Sequence, residues 1–128
     1  MTMKDVSLNS VLGAFIGRAL QQVRVAIPAQ VTAFDEAAGL ATIKPLVKES
    51  DAEPAVIQNV PLLGYKIKGA DGTIQSAAVI VEPGDVVLVV CADREIKNVL
   101  AGKASRPDTG RRHSLNDAVI VGVFPCSR

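Results

Sequence analysis

Two β-branched runs separated by four residues, Val79 to Val81 and Val86 to Val90, constrain this chain more than any other feature. Between them stands Glu82-Pro83-Gly84-Asp85, where Pro83 presets one corner of a turn and Gly84 can take the positive φ of the next. The pattern predicts a β-hairpin. Its second arm is apolar at every position, so it needs cover on both faces, as a strand of a small closed barrel or a sandwich has.

The chain can supply that cover. Its 128 residues are 48% hydrophobic, enough to bury a core in one domain. The 14 basic and 13 acidic residues leave a formal net charge of +1, so no long-range field draws the chain to nucleic acid or to an anionic membrane. The aromatics Phe15, Phe34, Tyr65 and Phe124 are dispersed, a poor set for stacking bases. Cys91 sits in the apolar strand and Cys126 near the end of the chain, with no Cys/His cluster around either. They read as a buried small hydrophobe and an incidental thiol. Asp5, Asn9 and Arg18 interrupt the first apolar residues, so neither a signal peptide nor a membrane span is expected, and the chain is expected to be cytosolic when made.

From Ser7 to Val23 the apolar residues Leu8, Val11, Leu12, Phe15, Ala19, Leu20 and Val23 recur at helical spacing, with Ser7 or Asp5 as the cap. Gly13 and Gly17 each cost such a helix about 1 kcal/mol relative to alanine, which suggests close backbone approach to something: the helix either caps its own domain or meets a partner helix or the same helix of a second subunit. Leu8, Leu12, Phe15 and Ala19 are the candidate interface residues. Each of the three large ones is worth about 1.5 to 3 kcal/mol when fully buried. Residues 1–23 are thus expected to be a helical segment and residues 24–128 a β domain.

Strands are expected over 25–34, 40–47, 55–60, 62–68, 73–81, 86–90 and 119–124, with turns at 35–39 and 69–72. Pro28 and Pro45 suggest edges or a bulge. Asp93 stands as an N-cap before Ile96, Val99 and Leu100, which predicts a short helix, and residues 101–112 read as an exposed loop. Short, evenly spaced strands with one helix before the last favour a mainly β protein, a five-stranded Greek-key barrel of the OB-fold type.

Catalysis needs titratable groups gathered in one place. His113 is the only histidine, and with Ser114 and Asp117 it forms a triad fragment on paper. No nucleophile elbow or oxyanion loop accompanies it. The simpler reading has Arg111, His113 and Asp117 tying the loop to the barrel. Zinc, calcium and phosphate-loop spacings are all absent, so no catalytic residue, metal or cofactor is expected. An OB-fold raises an alternative, a single-stranded nucleic-acid-binding module touching phosphates through Arg106, Arg111 and Arg112. The balanced charge and scattered aromatics weigh against it.

Four segments carry a resemblance: Val-Ala-Ile-Pro-Ala-Gln-Val-Thr-Ala-Phe-Asp (25–35), Asn-Val-Pro-Leu-Leu (59–63), Pro-Gly-Asp-Val-Val-Leu-Val-Val (83–90) and Arg-Arg-His-Ser-Leu-Asn-Asp-Ala-Val (111–119). Together they resemble the N-terminal OB-fold domain of central spike proteins in contractile-tailed bacteriophages, from about residue 23 onward. The signature positions are Pro83, Gly84, Asp85, Arg112, His113, Leu115 and Asp117. The resemblance implies a non-enzymatic virion protein, a homotrimer at the centre of the tail baseplate. Its barrels would form a collar that contacts the hub proteins and follows the needle into the host envelope. Members of the piercing type continue into a triple-stranded β-helix with a histidine-bearing metal tip. This sequence ends at Arg128, so a collar or plug alone is expected, with a separate needle or tip protein. His113 belongs to the barrel, and the tip metal is not carried over.

Overall fold

A computed structural model describes residues 7–125. Asp5 and Cys126 lie outside them. Helix α1 spans Leu8–Gln21, and its cap is Ser7, whose hydroxyl accepts from the Ser10 N–H at 3.1 Å. Seven strands follow: β1 (Ala26–Asp35), β2 (Leu40–Pro45), β3 (Ile57–Pro61), β4 (Tyr65–Lys68), β5 (Ile74–Ala77), β6 (Val86–Cys91) and β7 (Ala118–Val123).

Five of them form one antiparallel sheet in the order β3-β2-β1-β6-β7, with β1 at its centre. The sheet curls because its longest strand changes partners along its length. Residues 26–30 of β1 pair with β6, residues 29–35 pair with β2, and the register shifts between Val31 and Ala33. A bulge of this kind bends the strand and adds twist. A second irregularity, where β2 meets β3, accompanies Asn59 at φ +60°, a conformation that asparagine tolerates better than most residues. The curl brings the two edges together at one point. Leu62, just past β3, bridges in parallel to Ile120 of β7, and the Leu63 N–H donates to the Ile120 carbonyl at 3.0 Å.

Inside this half-barrel the alternation of period two delivers one core: Ala29, Val31, Ala41, Ile43, Val60, Val87, Val89, Ala118 and Ile120, with Val81 and Cys91. Ile27, Phe34, Ile57, Leu62 and Leu115 pack against it. Cys91 is free, and burial pushes its thiol pKa up. Pro28 lies at the open end of the β1–β2 ladder, where its carbonyl accepts from the Leu46 N–H at 3.1 Å and its own nitrogen has no hydrogen to return.

Three expectations need correction. Val79 to Val81 is not a strand, and no hairpin closes across Pro83-Gly84. The turn bonds to β1 instead, the Gly84 N–H donating to the Val31 carbonyl and the Val31 N–H to the Asp85 carbonyl, both at 2.8 Å. A ten-residue central strand offers β6 more ladder than a three-residue arm can. Second, the outer face of β6 is only partly covered: Val86 and Leu88 are half-buried, and Val90 is exposed. Third, residues 93–100 form no helix: Arg94 makes an isolated bridge to Arg112, and only 97–100 turn. The Ile96 N–H is drawn to the Asp117 carboxylate, and the Asp93 carboxylate meets His113, so neither serves a helical turn. A short 3-10 turn at Leu115–Asp117 is what precedes the last strand.

The turn at 82–85 yields a first prediction. Gly84 has φ +99°, with open space where a Cβ would stand, so Gly84→Ala costs only backbone strain. A loss of about 1 to 3 kcal/mol is expected in urea unfolding. An unchanged midpoint would show that the turn relaxes freely.

Candidate functional site

Two features outside the core stand out, a loop fastened by buried charge and a helix that nothing covers. The loop between β6 and β7 is built on two carboxylates that the fold takes out of water, Glu95 and Asp117. Buried carboxylates need charged or hydrogen-bonded partners. Arg111 supplies them, donating from Nε to Asp117 Oδ2 at 2.7 Å and from Nη2 to Oδ1 at 2.9 Å, with Nη1 3.4 Å from Glu95 Oε2. Asp117 also accepts from the Ile96 N–H at 3.3 Å. Glu95 accepts from the Thr109 hydroxyl at 2.7 Å and the Asp108 N–H at 3.2 Å. The fork of Arg111 holds the Asp117 carboxyl below the usual carboxylate range although burial opposes it, and the same contact raises the Arg111 pKa.

The other signature residues frame this latch. His113 has φ +45°, and its Nε2 lies 3.2 Å from Asp93 Oδ1. Its Nδ1 is buried without a hydrogen-bond partner among the described residues. Its carbonyl accepts from the Arg24 N–H at 3.1 Å, which ties the loop to the foot of α1. Arg112 is exposed and bridges to Arg94, and Leu115 packs on the core. The triad fragment is not brought together. Asp117 faces Arg111, His113 faces Asp93, and the Ser114 hydroxyl accepts from the Asn116 N–H. Pro83, Gly84 and Asp85 sit on the β1 side of the half-barrel, where Asp85 Oδ2 accepts from the Glu82 N–H at 2.9 Å.

Beside the foot of the helix opens a groove of about 780 Å³, walled by residues 23–28 and 52–57. Its charged groups already have partners: Arg24 meets Glu49 at 3.0 Å, and Glu53 meets Lys44 at 2.8 Å and Lys48 at 2.9 Å. Those two lysines hold the Glu53 carboxyl down to about 2.

Helix α1 contributes no buried residue. Leu8 is 73% exposed, Phe15 64% and Leu12 48%, and Ala19 is exposed beside them. The four sequence-predicted interface residues therefore share one uncovered stripe. Val11, Ile16 and Leu20 widen it, and of these Ile16 was missed although the helical wheel places it next to Leu12. Glu95 was missed as well. Nothing in its local spacing marks a carboxylate whose partners lie thirteen or more residues away.

No curated protein matches the chain. The family model described as the phage protein Gp138 N-terminal domain matches residues 27–122, which takes in the curled sheet and the latch and leaves α1 outside. On that match over most of its length, the chain belongs to the phage protein Gp138 N-terminal domain family.

Proposed function

We propose that this phage structural domain is the collar or plug of the central spike in a contractile tail baseplate. In this reading it is an OB-fold barrel assembled as a homotrimer on the tail axis. It anchors or caps the needle, contacts the hub proteins and enters the host envelope during injection. The family match is the observation that carries the reading. The strand order supports it too: a five-strand sheet whose edges β3 and β7 approach in parallel is what a Greek-key barrel of this type requires.

The chemistry of the site agrees with a mechanical role rather than an enzymatic one. Its most buried polar groups hold a loop in place, and each of the two carboxylates is engaged by Arg111 and by backbone or hydroxyl donors. A part that transmits force needs a closed sheet and fixed loops. Light scattering on the purified protein is expected to return the mass of three chains, and images of assembled particles to place it on the axis at the tail tip. A monomer at high concentration, together with absence from that axis, would end the proposal.

A further inference from the structure

We infer that the helices α1 of three copies pack side by side as a parallel bundle, and that this bundle holds the copies together. The inference rests on the trimeric reading above and names the contact that makes it.

The first step is that the chain's own barrel does not cover the helix. The junction is pinned from three directions. The Arg24 N–H donates to the His113 carbonyl, the Arg24 guanidinium donates to the Gln21 carbonyl at the end of α1, and the same guanidinium pairs with Glu49. The helix therefore leaves the barrel in a set direction with its apolar side in solvent. Whatever covers it comes from another chain.

The second step identifies that chain. Leu8, Leu12, Phe15 and Ala19 recur at intervals of four, three and four, the spacing of a seam between parallel helices. In a two-stranded coil the positions beside the seam are usually charged and stay wet. Here the flanking rows pair Val11 with Arg18 on one side and Asn9 with Ile16 on the other, and Leu20 extends the apolar surface beyond Ile16, with Ile16 59% and Leu20 65% exposed. At about 100° per residue the apolar arc covers roughly half the helix. One neighbour covers a seam, whereas an arc of this width needs two at once. Three copies around an axis form the smallest ring in which every helix has two neighbours, and rotation about that axis makes the helices parallel.

Charge points the same way. Arg18 is the only charged residue of α1, and it falls at the margin of the arc, so identical faces meet without repulsion. Isolated in water, a helix of 14 residues is marginal. Its helicity should therefore rise and fall with assembly.

The test uses the full chain carrying Leu12→Asp and Phe15→Asp together, with Arg18→Ala as a control at the arc's edge. Mass by light scattering and the far-ultraviolet helical signal are followed across a dilution series, and the thermal transition reports on the barrel. The expected result is wild type and control at the mass of three chains. The double variant falls to one chain with reduced helical signal and an unchanged barrel transition, since α1 gives the core no residue. A double variant that keeps the mass of three chains overturns the bundle and leaves the trimeric reading standing. The same outcome combined with failure to enter assembled particles assigns the face to another baseplate protein, and also overturns it. A monomeric wild type removes both.

Discussion

Asp117→Ala is expected to destabilise the fold by about 3 kcal/mol, near the lower end of what breaking a buried ion pair costs. Two effects compete. Removing Asp117 strips Arg111 of its bidentate partner and leaves the Ile96 N–H without its acceptor. Arg111 is about a third exposed, however, and keeps Glu95 within 3.4 Å, so the stranded cation retains both water and one carboxylate. The first effect wins but is blunted. In a domain of this size such a loss lowers the melting temperature by on the order of 10 °C. A shift near zero would mean that the latch is ornamental.

The same pair makes the stability sensitive to acid in a defined direction. Asp117 titrates below its usual range in the folded state because Arg111 favours the carboxylate. Its contribution is therefore complete above the unfolded carboxylate value, and it is lost as the pH falls through the depressed one. Asp117→Asn should consequently be weaker than wild type at neutral pH and converge with it in acid. Urea unfolding at a series of pH values checks this. A constant difference down to the lowest pH would remove the charge from the explanation.

The strands were legible in the sequence because alternation and turn residues are local. Observed β2, β6 and β7 differ from the expected spans by one residue or two, and Gly84 takes the positive φ that its place in Pro-Gly-Asp suggested. Pairing was less legible, because it is a competition between strands. Val79 to Val81 lost β6 to a longer β1, which no reading of the 76–96 stretch alone could reveal. The helix expected at 93–100 failed for a related reason: its capping and first-turn groups found better partners in residues 113 and 117, across the loop. The exposed stripe of α1 was visible as periodicity. Whether a stripe faces its own core or solvent depends on the path of the chain at Arg24, and that is a tertiary fact.

Ile120→Ala is the second large effect, expected at about 3 to 4 kcal/mol, while Ile120→Val should cost about 0.5 to 1.5 kcal/mol. The cost of a cavity depends on how far its walls can move in. Ile120 is 1% exposed and is held from both sides, by the β6 ladder opposite Val89 and by the bridge to Leu62 where the sheet closes. The backbone there has little freedom to collapse, which keeps alanine away from the lower end of the range for such truncations. Ile67→Ala, on β4, which pairs with β5 in a separate exposed two-stranded sheet, should change stability by less than about 0.5 kcal/mol and serves as the contrast. Hydrogen exchange separates loosening of the seam from loss of packing alone. The Leu63 amide donates across the closure to the Ile120 carbonyl, so faster exchange at Leu63 than at core amides of β1 would show the seam opening first. Equal acceleration at both would mean that the half-barrel opens as one unit and that its point of closure carries no separate share of the stability.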